Sequence, residues 1–276
     1  MFETSVFHIQ EQNGVYFLTV PAFEETGLVR HAFSTRLGGV SRGRYARMNL
    51  SFGNGDRPEA SRENFRRFFA AVGSDETRAV LSRQEHTDHI RTVTEADMGK
   101  GIVRERDYTA VDGMITNLPR LPLVTLYADC VPLLFLDPVK RAVASVHSGW
   151  RGTVQQIGRR AVERLGEEYG SSPADILAAI LPCIGPCCYE VDEDTAAHFL
   201  LYHDEQGPAA HPVPGKPGKY YADMWRANRA ILIASGLLPE HIEISGLCTI
   251  CHNDIFYSHR KQGNARGALS ALVMLR

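Results

Sequence analysis

Three side chains in this 276-residue sequence are suited to metal or nucleophilic chemistry, and they sit near the ends of predicted strands. Cys130 ends the run LVTLYADC (123–130), and His147 ends AVASVH (142–147). His147 runs straight into Ser-Gly-Trp-Arg-Gly, a turn-like segment carrying an indole and a guanidinium. His86 lies upstream in LSRQEHTDHI (81–90), with His89 three residues on. Cysteine and histidine are the residue types that can ligate a metal or act as nucleophile and base, but their spacing does not make these three a site. Taken singly, each residue has a plain alternative: packing for the cysteine, an ordinary hydrogen bond for the histidines. No short ligand motif joins the three.

The elements that must position them follow from periodicity and punctuation. SRENFRRFFAAVG (61–73) predicts a helix with Ser61 as N-cap, Phe65, Phe68, Phe69 and Val72 on one face, and Gly73 as the stop. TVQQIGRRAVERLGEEYG (153–170) predicts a second, ended by Gly170, and DEDTAAHFLLYH (192–203) and ADMWRANRAILIASG (222–236) two more. β-like runs fall at 123–130, 142–147, 176–181 and 242–248. The first two are separated by too few residues for a parallel crossover, so they predict a hairpin. Pairing those two runs would bring the end of one beside the start of the next, which does not unite Cys130 with His147. The Pro/Gly-rich stretch 205–221 predicts a long surface loop or a lid. The fold class is mixed α and β, in a single domain spanning 1–276.

Composition bounds the partners. A formal net charge of −2 provides no basic footprint for nucleic acid, although SRGRYAR (41–47) could meet an anion. The longest apolar stretch, 121–138, contains internal prolines and Asp129 and is no membrane span. The N-terminal MFETSVFHIQEQ lacks the layout of a signal peptide. The expectation is a cytoplasmic protein with mostly reduced cysteines. No GxxxxGK[ST] or GxGxxG segment is present, so neither a P-loop nor a dinucleotide site is indicated.

QEH (84–86), ADCVP (128–132) and HSGWRGT (147–153) resemble, in order and style, motifs of the YfiH family of laccase-domain proteins. FSTRLGGVS (33–41), MNLSFGNGD (48–56), VDGMIT (111–116), LPCIGPCCYEV (181–191) and CTICHNDIFYSHRKQGNARG (248–267) extend the resemblance over most of the chain. It implies a sandwich-like centre of mixed β-sheets flanked by helices. It also implies a zinc-dependent purine nucleoside phosphorylase whose ligands fall on His86, Cys130 and His147. Adenosine, inosine and guanosine would be split by phosphate into base and ribose 1-phosphate, with methylthioadenosine phosphorolysis and adenosine deamination as further activities. Three protein ligands leave an open fourth position, the pattern of a catalytic zinc, which acidifies water or polarises a substrate oxygen. Asp129 is a candidate for orienting the site or moving a proton, although strand alternation would point it away from Cys130.

Arg36, Arg151 and Arg260 are candidate phosphate contacts, because guanidinium matches phosphate geometry, and His252 is a further pocket candidate. The chain departs from the family pattern at Ser148, where Ala is expected, at Lys261, where Arg is common, and at Ala268, where Arg often follows the last Gly. Cys183, Cys187, Cys188, Cys248 and Cys251 are read as packing residues, with metal or redox use as the alternative. The competing functions are a metal-free Cys–His hydrolase with Cys130 as nucleophile, a copper polyphenol oxidase, and a non-catalytic binding role. The copper reading is weakened by the absence of any His-x-His pair among the 11 histidines. Monomer and homodimer both remain open.

Overall fold

The computed structural model describes residues 6–276; the first five residues of the N-terminal segment, read above as lacking a signal peptide, lie outside the described residues. Two six-stranded mixed sheets form the centre. The first runs, edge to edge, through His8–Gln12, Val15–Thr19, Val29–Ser34, Leu269–Leu275, Leu123–Tyr127 and Val80–Leu81. The second runs through Ile242–Ile244, Leu177–Ile180, Val131–Asp137, Ala142–Ser148, Gly113–Thr116 and Ile90–Thr92. Strand alternation assigns the layers. Leu134 and Leu136 join Phe33, Tyr127 and Val273 between the sheets, whereas Leu133 and Phe135 meet Ala161, Leu165 and Leu232 of the outer helices. On the opposite flank, Phe65, Phe68 and Phe69 cover Phe17, Val124 and Leu272. The result is the expected sandwich between helices.

Several local expectations are corrected. The hairpin exists, but its first strand is Val131–Asp137, paired with Ala142–Ser148. The run at 123–127 instead joins the other sheet, beside Leu269–Leu275 and Val80–Leu81. The missed strand is buried at every position, so its sequence is a continuous apolar run without the period of two that marks a half-exposed strand. The first long helix is Pro58–Val72 with Arg57 as N-cap, and Ser61 is buried inside it; Pro58 at the first position is preset for a helical start. Gly73 does end it, at φ 70°. The 153–170 segment divides into Trp150–Val154 and Ile157–Tyr169, because Gln156 adopts φ 58° between them. The 192–203 and 222–236 helices are Glu193–Phe199 and Met224–Ala234. The stretch read as a loop or lid keeps turns at 205–206 and 213–218 but also contains strand: Ala210–Pro212 and Lys219–Ala222 pair with each other, and the latter with Glu190–Asp192. Among the described residues no helix is long and apolar enough to cross a membrane.

One buried histidine makes stability pH-dependent. His31 accepts a hydrogen bond from the Val20 N–H at 2.7 Å through Nε2, and burial pushes its pKa down to about 4. Between about pH 6.5 and about 4 the unfolded chain therefore binds a proton that the folded chain does not, so stability falls as pH drops through that window. The expected slope from this group is up to about 1.4 kcal/mol per pH unit. Urea midpoints measured across the window should vary less with pH in His31→Gln, and equal pH dependence of the two proteins would reject the assignment.

Candidate active site

The chain crosses from the first sheet to the second at Ala128-Asp129-Cys130. Asp129 holds φ 87° there, a turn that ends Leu123–Tyr127 and starts Val131–Asp137. Cys130 thus stands immediately before the first hairpin strand, and the register pairs Val131 with Ser148 and Pro132 with His147. The hairpin itself unites the two residues once its true strand is known. His86 comes from a loop, at φ 63°, and closes the group: the donor atoms of His86, Cys130 and His147 all lie within 4.8 Å of one another. His86 Nε2 is 3.8 Å from Cys130 Sγ, and the two imidazole rings stand nearly perpendicular, at 77°.

Asp112, which the sequence reading did not single out, organises this group. One Oδ1 accepts His147 Nδ1–H at 2.8 Å and the His86 N–H at 3.0 Å. The other oxygen accepts the N–H groups of Glu85 and Thr87 and the Thr87 hydroxyl. The side chain is fully buried. Burial alone would raise its pKa, but the His147 bond and the backbone N–H groups outweigh it and hold the carboxyl down to about 2. The same carboxylate therefore locks the loop bearing His86 and the tautomer of His147, leaving Nε2 of His147 to face a cation. Burial also opposes the Cys130 thiolate, yet His147 and the hydrogen bonds from both imidazoles bring it down to about 6. Reciprocally, the thiolate and Asp112 raise His147 to about 9 against its burial.

The donor set fits zinc. About 2.0 Å to nitrogen and about 2.3 Å to sulfur at tetrahedral angles separate N from S by about 3.5 Å, close to the observed His86–Cys130 spacing. The oriented second nitrogen of His147 is what a ligating imidazole requires. Gly149 explains part of the Ser-Gly-Trp-Arg-Gly turn: a Cβ there would stand 2.7 Å from His86 Cδ2 and 3.3 Å from Cys130 Sγ. Gly149→Ala is expected to displace both ligands and weaken zinc binding by about tenfold or more, read by competition with a chromophoric chelator. Unchanged affinity would show that the approach is not limiting.

The group opens into a cavity of about 310 Å³. Trp150, Arg151, Tyr189, His259, Arg260 and Arg266 help to line it. Arg151 stacks on Trp150 at 4.3 Å, and Arg260 lies over Tyr189 at 5.2 Å. Asp129 borders the cavity, but its carboxylate accepts from Thr249 and Ser258 hydroxyls and from the Arg260 N–H. That makes it a brace for the far wall and not a free base beside Cys130.

Two candidates fall elsewhere. Arg36 donates to the carbonyls of Ala46 and Asn253 and lies over Tyr257, so its guanidinium ties loops together. His252 does not line the cavity; its N–H donates to Cys248 O. Arg266 and His259 were missed, although both lie in a segment quoted for the resemblance. Burial lowers the pKa of Arg266, and its Nε has no hydrogen-bond partner. Ala268 is buried, with its N–H on Asn49, so the arginine absent there leaves Arg266 as the cavity cation from this strand entry.

The family model described as multi-copper polyphenol oxidoreductase laccase matches residues 30–276. The chain belongs to the YfiH/laccase-domain family. Among YfiH-family members, a Bacillus subtilis protein named purine nucleoside phosphorylase YlmD is 36% identical over 245 residues, covering 87% of this chain and 86% of its own. Escherichia coli purine nucleoside phosphorylase YfiH is 31% identical over 94% of this chain and 98% of its own. The crystal structure of the Bacillus licheniformis hypothetical protein YfiH superposes with TM-score 0.89 at 31% identity, covering 98% of this chain and 99% of that one. The mixed α/β architecture is therefore that of YfiH structures.

Proposed function

We propose that this protein is a zinc-dependent purine nucleoside phosphorylase acting on adenosine, inosine and guanosine, with methylthioadenosine phosphorolysis and adenosine deamination as further activities. The observation that carries the reading is the convergence of His86, Cys130 and His147, braced by Asp112, on a cavity lined by aromatic rings and arginines. The names of the relatives support the same chemistry. His86, Cys130 and His147 would hold the zinc, which supplies an electrophilic centre for a substrate oxygen or an activated water.

The chain's own residues do the rest. Trp150 and Tyr189 offer faces for the purine. Arg151, Arg260 and Arg266 line the cavity and offer guanidinium donors to phosphate. In phosphorolysis the C1′–N9 bond of the nucleoside breaks, a phosphate oxygen forms the new bond to C1′, and the base leaves with a proton. Clustered arginine charge near a phosphate oxygen favours that exchange by holding the nucleophile in place.

The test is chromatographic. Inosine with phosphate should yield hypoxanthine and ribose 1-phosphate in equal amounts, and inosine without phosphate should stay intact. Absence of phosphate-dependent cleavage of all three nucleosides by zinc-loaded protein would overturn the reading.

One observation favours a second reading, a metal-free Cys–His hydrolase: Cys130 is held down to about 6 beside His147, which favours a thiolate nucleophile. His86 separates the two, since a third ligand is indispensable only to the zinc enzyme.

A further inference from the structure

Four more sulfurs converge behind the cavity wall. The Sγ atoms of Cys187, Cys188, Cys248 and Cys251 all lie within 4.8 Å of one another. Cys251 Sγ is 3.5 Å from Cys187 Sγ and 3.6 Å from Cys188 Sγ. Four thiolates at about 2.3 Å around a tetrahedral zinc stand about 3.8 Å apart, whereas a disulfide joins only two sulfurs at about 2.05 Å. Apolar packing, the expectation from sequence, does not account for the group, because Cys187 and Cys251 are exposed. Cys183 alone fits that expectation; it is buried and outside the cluster.

The backbone is shaped for ligation. Two turns present the sulfurs: the N–H groups of Cys188 and Tyr189 both donate to Gly185 O, and the His252 N–H donates to Cys248 O. The Gly185 N–H points at Cys248 Sγ, 3.2 Å away, and a donor on sulfur favours the thiolate that a metal requires. A bridge between Cys183 and Cys248 holds the two turns side by side.

We propose that Cys187, Cys188, Cys248 and Cys251 form a second metal site, a structural tetrathiolate zinc centre distinct from the His86–Cys130–His147 group. Four protein ligands close the coordination sphere, which is the pattern of a structural site. Its place in the fold gives it a task. One turn runs on into Tyr189 of the cavity wall, and the other continues through Thr249 to Ser258 and Arg260, the three residues that grip Asp129 beside Cys130. A cation across the two turns fixes both walls of the cavity relative to each other. The proposal is independent of the chemistry assigned to the first group.

The test uses full-length protein kept under reductant, loaded with zinc and desalted. Elemental analysis should give two zinc ions per chain in the parent, one in His86→Ala and one in Cys251→Ser. Cobalt(II) loaded into His86→Ala should show the intense thiolate charge-transfer and tetrahedral d–d bands of a tetrathiolate ion, and these should vanish when Cys251→Ser is added. Cys187→Ser, at an exposed position, provides the same readout if Cys251→Ser does not fold. A His86→Ala protein that binds no metal, or a cobalt spectrum unchanged by loss of Cys251 or Cys187, overturns the proposal.

Discussion

Replacing Cys130 by serine is expected to lower phosphorolysis about 10³-fold and to remove the metal from the first site. The electrophile is worth several kcal/mol, and each 1.36 kcal/mol is about tenfold in rate. On the proposed reading His86→Ala should do the same, because it removes the one donor of the three that the loop contributes and leaves an incomplete set. The change should appear in kcat more than in the overall fold, since His86 and Cys130 border the cavity and carry little of the core. The checks are steady-state rates with inosine, zinc content and circular dichroism on the same samples. Full activity in His86→Ala would instead point to the thiolate nucleophile.

Asp112→Ala is expected to destabilise the protein strongly. The carboxylate is buried and holds three backbone N–H groups, one hydroxyl and the His147 ring. Removing one partner of a buried charge pair costs about 3–5 kcal/mol, and the orphaned donors add to it. Asp112→Asn keeps the shape but loses the charge, so it should destabilise less while still weakening zinc binding about 10–100-fold. The contribution has a definite pH dependence. The folded pKa of Asp112 is depressed to about 2, so its stabilisation is present above the usual carboxylate range and lost as pH falls from about 4 through about 2. Urea denaturation of the parent and both variants at neutral pH checks the order; an Asp112→Ala protein as stable as the parent would remove Asp112 from this role.

Signals that act within a few residues were legible without coordinates. Gly73 and Gly170 end their helices in the left-handed conformation that glycine adopts without strain. Phe65, Phe68, Phe69 and Val72 share the buried face that their spacing indicates. The ordered family motifs named three candidate ligands, whose donor atoms the fold draws together.

The inventory of reactive side chains, the local starts and stops, and the family can all be read along the chain. Tertiary structure decided which of them meet. The strand 131–137 is buried on both faces and shows no alternation, so pairing alone reveals that Cys130 abuts His147. Asp112 lies in VDGMIT (111–116), a segment quoted for the resemblance, but nothing along the chain assigns it a role. Its importance comes from the loop folded onto its carboxylate. Cys187 and Cys251 are 64 residues apart, yet their sulfurs stand 3.5 Å apart. Contacts of that range depend on how sheets and turns close in space, and no local pattern along the chain carries that information.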